Sequence, residues 1–372
     1  MATASPLIEV YGAPRERGRS YGEAARDRVK IGIGHYAEQL AESGLKGEGI
    51  VRLVERFLPR IEAFDATYVP EMRGIAEGAG VAFEDIVLLN ARTEILKLAT
   101  KWVEEKDPDG CTALVAMPGI TADGKLIHAQ NWDWKVECAA ASVVLKIHRD
   151  DGPDILTFTE AGALARAGFN SAGIAVTGNY LQCERDYTQV GVPLALIRRK
   201  VLQQSHLALA MGAVCGTPKS ASNNIIVSQA EGVAIDFECA PDESFQVHPE
   251  DGLLVHANHW RSPVALAKLR DTGVAGTPCS LYRDLRVRDL MAPHKGKVTR
   301  ETVKAALFDD YQTPWSVCRP PRKSLDNMLS ATVAMIVMIP AGGFMEVAML
   351  PALDRTFTRY TLGMDIAQKE VG

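Results

Sequence analysis

The sequence predicts an α+β fold built in layers, on three observations. Apolar residues at helical spacing fill the first part of the chain, a charged segment with Pro and Gly follows, and short β-prone runs occupy most of the remainder. Tyr21, Ala25, Val29, Ile33, Tyr36 and Leu40 recur at steps of three and four, and Val54, Phe57, Leu58, Ile61 and Phe64 repeat the pattern. Glycines and polar residues from Ser43 to Gly49 separate the two helices. A third runs through Ile86, Leu89, Thr93 and Leu96, opened by Glu84 and Asp85 at the positive end of its dipole.

The segment Glu104-Glu105-Lys106-Asp107-Pro108-Asp109-Gly110 is the sharpest boundary and ends in a turn signal. It divides the chain into a helical part, 1–110, and a sheet-bearing core, 111–372. Strands are expected at Thr112–Met117, Leu126–Gln130, Val143–His148, Ile155–Thr159, Ile174–Thr177, Ile225–Ser228, Gly232–Phe237, Thr332–Ile339 and Phe344–Met349. Turns such as Ala122-Asp123-Gly124 and Ala341-Gly342-Gly343 favour antiparallel pairing. Helices are expected at Val192–Met211 and around Ser280–Met291.

Composition narrows the function classes. With 41 Lys and Arg against 46 Asp and Glu among 372 residues, the net charge is −5 and no basic stripe suits a phosphate backbone, so nucleic acid is not an expected partner. Met1 to Val10 lacks a basic region followed by an apolar run, and no stretch approaches the ~20 apolar residues of a membrane span. A cytoplasmic protein with no membrane partner is expected. The cysteines at 111, 138, 183, 215, 239, 279 and 318 are odd in number and form no CxxC pair, which fits neither a disulfide framework nor a thiolate zinc site.

Gly110-Cys111 carries the candidate chemistry. A cysteine after a flexible glycine, at the mouth of a strand, can attack its own preceding carbonyl. The peptide becomes a thioester and water completes the cut. The product holds a thiol and an α-amino group on one residue, and that amine, with a reference pKa of roughly 7.7 to 8.0, can take the thiol proton.

Several ordered motifs surround it: Asp109-Gly110-Cys111-Thr112, Gln130-Asn131-Trp132-Asp133-Trp134, Gly168-Phe169-Asn170-Ser171-Ala172-Gly173-Ile174, Gly178-Asn179 and His256-Ala257-Asn258-His259, with Gly18-Arg19 and Gly22 near the start. Together they resemble the acyl-coenzyme A:6-aminopenicillanic acid acyltransferase family, N-terminal-nucleophile hydrolases made as self-cleaving precursors. The resemblance implies a four-layer αββα fold, with residues 1–110 becoming an α-chain that stays associated with a β-chain of residues 111–372. It makes Cys111 the nucleophile and Gly110–Cys111 the cleavage point, and sets Asp133 beside the new amine. The reading of Asp133 from residue type alone is a turn-capping carboxylate after the strand that ends at Gln130.

By the same resemblance Asn179 and Asn258 lie at the ends of neighbouring strands and aim amide N–H groups at a developing oxyanion. Trp132 and Trp134 flank Asp133 and are expected on opposite sides of the strand, one walling the acyl pocket. Arg166 is expected to meet an anionic substrate group. The reaction implied is acyl transfer, or hydrolysis, from an amide or thioester donor to an amine or water. It needs no metal or redox cofactor, although coenzyme A can serve as acyl carrier, and a higher oligomer stays open. Two alternatives stand beside this: a thiol hydrolase pairing Cys111 with His256 or His259, and a non-catalytic small-molecule or peptide binder on the same fold. His256 and His259 as a metal pair lack the HExxH glutamate and a third nearby ligand.

Overall fold

A computed structural model describes residues 4–99, 110–323 and 329–366; the charged segment preceding Gly110 lies outside the described residues. A short strand β1 (Leu7–Val10) precedes helices α1 (Pro14–Ala24), α2 (Arg26–Glu42), α3 (Glu48–Glu55), α4 (Leu58–Phe64), α5 (Tyr68–Ala79), α6 (Phe83–Asn90) and α7 (Arg92–Ala99). Beyond Gly110 come β2 (Cys111–Ala116), β3 (Ile127–Lys135), the single turn α8 (Cys138–Ala141), β4 (Ser142–Ile147), β5 (Ile155–Glu160), β6 (Ala167–Asn170) and β7 (Ile174–Tyr180). Helices α9 (Leu194–Leu202) and α10 (Leu207–Cys215) interrupt the strands before β8 (Asn223–Gln229), β9 (Val233–Cys239), β10 (Ser244–Val247) and β11 (Leu253–His256). Helices α11 (Pro263–Lys268), α12 (Cys279–Met291) and α13 (Arg300–Leu307) follow, then β12 (Arg322–Lys323), β13 (Leu329–Ile339), β14 (Phe344–Met349) and β15 (Thr358–Thr361).

The strands form an eight-stranded sheet, ordered β1-β4-β5-β6-β7-β8-β9-β10, and a seven-stranded sheet, β11-β2-β3-β13-β14-β15 with β12 beside β13. Ladder pairs are antiparallel except β1 with β4, as the short turns imply. Alternation along β2 shows how the sheets stack. Ala113 and Val115 pack with Ile226 and Ala234 of the first sheet, whereas Leu114 and Ala116 pack outward with Val287 and Met291 of α12 and Leu307 of α13. Helices α1–α7, α9 and α10 cover the outer face of the first sheet in one apolar core. The layers therefore run helix, sheet, sheet, helix, and the expected αββα architecture is borne out.

Helices α1 and α5 cross with their backbones in contact. A Cβ on Gly18 would lie 2.1 Å from the Glu71 carbonyl oxygen, and one on Gly78 would lie 2.0 Å from that of Arg19. Gly22 and Gly74 repeat this one turn along, so the glycines are what permit the crossing. The close approach brings Glu71 between Arg17, at 2.7 Å, and Arg199 of α9, at 3.1 Å, with all three side chains buried.

The structure corrects several boundaries. The helix α5 escapes a periodicity reading because Gly74 and Gly78 lie on its buried face where apolar side chains would mark it. The stretch 192–211 is two helices, the second capped by His206, whose ring nitrogen accepts from Ala208 N–H. The strand expected to end at Gln130 continues to Lys135, so Asp133 is a strand residue and no turn cap. Among the described residues, no helix is long and apolar enough to cross a membrane.

Candidate active site

Cys111 is the first residue of β2, on the same face as Ala113 and Val115, and is buried between the layers. Its N–H donates to Asn258 Oδ1 at 2.7 Å. Arg283, fully buried on α12, donates through Nη1 to the Cys111 carbonyl at 2.6 Å and to Thr112 Oγ1 at 2.8 Å, and through Nη2 to Asn258 Oδ1 at 2.9 Å. A Cβ on Gly110 would come within 2.7 Å of Arg283 Nη2 and 2.9 Å of Arg319 Nη2. Two buried guanidinium groups thus press on the residue preceding the thiol, and glycine is what fits there.

Asp133 sits on β3 beside Cys111. Its carboxylate accepts from Thr332 Oγ1 at 2.7 Å and lies 3.3 Å from Arg319 Nε. A bulge in β13 sets Thr332 opposite Asp133 while Ala334 pairs with Trp132. Burial pushes the Cys111 thiol up to about 12, helped by the Asp133 charge; the Asp133 N–H on the sulfur, then Arg283 and Arg198, oppose the rise. With the peptide chain continuous into Cys111, the thiol is held protonated.

The two asparagines are both engaged in hydrogen bonds within the protein. They lie by strands of facing sheets, Asn179 in β7 of the first and Asn258 just past β11 of the second. Asn179 accepts from Gln130 Nε2 at 2.7 Å and gives its amide hydrogens to the carbonyls of His256, at 2.9 Å, and Ala257, at 3.0 Å. It ties the sheets together and braces the turn that carries Asn258. The Asn258 amide N–H goes to the Tyr180 carbonyl at 2.9 Å. Its oxygen faces Cys111 because two donors, the Cys111 N–H and Arg283, converge on it. Both amide nitrogens thus donate to backbone carbonyls.

Trp132 and Trp134 line one cleft together with Cys111, Asp133, Tyr180 and Arg198. The expectation of opposite faces is overturned: a strand repeats every two residues, so positions 132 and 134 share a side. Trp132 packs edge-on against Phe158 at 5.8 Å, and the Arg166 guanidinium covers its ring at 4.0 Å. Arg166 reaches the cleft, but it pairs with Glu160 at 3.2 Å, a carboxylate shared with Arg92 at 2.8 Å.

His256 hydrogen-bonds Glu238 through Nε2 at 2.7 Å, and His259 Nδ1 meets Ser280 Oγ at 2.8 Å. Ser280 in turn accepts from the Asn258 N–H at 2.7 Å. Both rings therefore support the Asn258 turn and neither hydrogen-bonds Cys111, which disfavours a Cys–His pair. Burial alone would push His256 down, but Asp236 and then Glu238 lift it to about 9. Because this exceeds the unfolded-state value, its stabilising contribution is complete below about pH 6.5 and is lost as pH rises through about 9. Denaturation midpoints should fall across that window, and His256→Gln should flatten the fall.

Arg283, Arg319, Ser280 and Thr332 carry no motif. One signal was available: Ser280, Arg283, Val287 and Met291 share the buried face of α12, and an arginine on such a face demands a partner.

Residues 120–348 match the family described as acyl-coenzyme A:6-aminopenicillanic acid acyl-transferase. The chain is 29% identical over 326 residues to the acyl-coenzyme A:6-aminopenicillanic-acid-acyltransferase 40 kDa form of Emericella nidulans, covering 84% of each. Among solved structures, a mutant conjugated bile acid hydrolase from Clostridium perfringens superposes with a TM-score of 0.50 at 14% identity, over 68% of this chain and 92% of that one. Penicillin V acylase from Agrobacterium tumefaciens gives 0.46 at 16% identity, over 70% and 89%. The bile acid hydrolase likeness is one of fold.

Proposed function

Because the chain belongs to the acyl-coenzyme A:6-aminopenicillanic acid acyltransferase family, we propose that Cys111 cuts the peptide before itself and then serves as the nucleophile of an acyltransferase or amidohydrolase. The observation that carries this reading is the hydrogen bond from the N–H of Cys111, which lines the cleft, to Asn258 Oδ1 at 2.7 Å.

In the first stage the Cys111 sulfur adds to the Gly110 carbonyl carbon. Arg283 and Arg319, packed on Gly110, supply positive charge beside the oxyanion. The C–N bond breaks, the sulfur keeps the acyl group as a thioester, and the nitrogen takes up a proton to become the Cys111 amine. Water then releases residues 1–110 as a carboxylate. Glu71, clamped between Arg17 and Arg199, keeps that fragment docked on the core.

In the second stage the Cys111 amine takes the thiol proton while donating a hydrogen bond to Asn258 Oδ1. The sulfur attacks the donor carbonyl, and the amine returns the proton to the departing nitrogen or thiolate. An amine or water then resolves the acyl-thioester. Asp133, held by Thr332 and Arg319, steadies the charged amine. Nucleophile and base come from one residue, so coenzyme A enters only as the carrier of a thioester donor. A binder would have no use for Asn258, Arg283 and the Asp133 N–H all converging on one cysteine.

Acid quenching during turnover of a slow acyl thioester tests this. A peptide beginning at Cys111 should gain the acyl mass, and an unmodified peptide at full turnover would refute the nucleophile assignment.

A further inference from the structure

Arg198, on α9, lines the same cleft as Cys111, and among the described residues no carboxylate pairs with it. The residue is only 8% exposed, its Nε is buried without a hydrogen-bond partner, and no ion pair to it forms among the described residues. The other arginines of the cleft differ. Arg92 and Arg166 both close on Glu160, at 2.8 and 3.2 Å. Glu94 acts on Arg198 from a distance, but its carboxylate accepts from the Leu194 N–H at 2.8 Å, and burial pushes it toward the neutral form.

The backbone is shaped to receive this guanidinium. A Cβ on Gly178 would lie 2.8 Å from both Nε and Nη2 of Arg198, so the guanidinium packs against β7 one residue before Asn179, where a side chain would displace it. Burying an unpaired guanidinium is unfavourable, and a site that tolerates it is complete once a ligand brings the countercharge. The planar fork suits a carboxylate, which it can hold by two parallel hydrogen bonds. Burial followed by the neighbouring Arg92 lowers its pKa to about 10, which leaves it charged at neutral pH.

We propose that Arg198 is the substrate-recognition residue of this cleft and that the amide or thioester processed there carries a carboxylate seated on its guanidinium. The proposal rests on the assignment of Cys111 as nucleophile only for which bond is broken. The carboxylate can belong to the departing amine, as in an N-acyl amino acid, or to the acyl group, as in a dicarboxylic monoamide.

Equilibrium binding to the purified wild-type protein separates these. The probes are ketone analogues in which CH2 replaces the scissile N–H. One pair mimics N-hexanoylglycine and its neutral glycinamide; the other mimics the anilides of adipic and hexanoic acids. In one pair the anionic member should bind about 10- to 100-fold more tightly than its neutral partner, as a charge-assisted fork implies. The favoured pair identifies the source of the carboxylate. Arg198→Met should erase the preference, and Arg198→Lys, with charge but no fork, should keep part of it. Equal affinities within both pairs, no measurable binding of either anion, or a preference that survives Arg198→Met would overturn the proposal. Failure of the acyl mass to appear on Cys111 would instead refute the nucleophile and leave anion binding standing.

Discussion

Asn258→Ala is expected to lower turnover about 10²- to 10³-fold, mostly in kcat, and to slow self-cleavage as well. The Asn258 oxygen accepts from the Cys111 nitrogen at 2.7 Å and from Arg283 at 2.9 Å, so one side chain aligns both the base and its cationic neighbour. Truncation leaves the amine free to rotate and takes one acceptor from a buried guanidinium. The Asn258 backbone, held by Ser280, should keep the turn in place. Asn258→Asp retains an acceptor toward both donors and should do less damage than alanine. Steady-state kinetics of the pair checks this, and equal losses from both would argue that shape rather than the accepted hydrogen bonds sets the rate.

Glu71→Ala is expected to destabilise the protein by about 3–5 kcal/mol, the range for removing one partner from a buried ion pair. Glu71 accepts from Arg17 at 2.7 Å and from Arg199 at 3.1 Å, and its loss strands two guanidinium groups in the core. Arg17 and Glu71 precede the proposed cleavage point and Arg199 follows it. In a cleaved protein the same change should therefore loosen the two fragments. Chemical denaturation reads the first effect, and size-exclusion chromatography at low concentration reads the second.

The longer strands were legible because runs such as Ile155–Thr159 and Ile174–Thr177 concentrate β-branched and aromatic residues between turns. The strands β1, β6, β10, β11, β12 and β15 have four residues or fewer, too short for a period to declare itself. Gly18 and Gly22 were visible as part of a motif, but their purpose, the crossing of α1 over α5, exists only in the folded chain. Cys111, Asp133 and Asn258 could be named from ordered motifs. The direction of each amide could not, because it is decided by donors on distant elements: Arg283 for Asn258 and Gln130 for Asn179. Arg198 was invisible for the same reason, since the want of a paired carboxylate among the described residues is a property of the packed site.

Self-cleavage before Cys111 is the claim on which the rest depends, and intact-mass spectrometry of the wild type beside Cys111→Ala tests it most directly. Two fragments, ending at Gly110 and beginning at Cys111, should appear in the wild type alone. A wild-type chain that stays whole after long incubation, or a Cys111→Ala chain that is cut at the same bond, would contradict it.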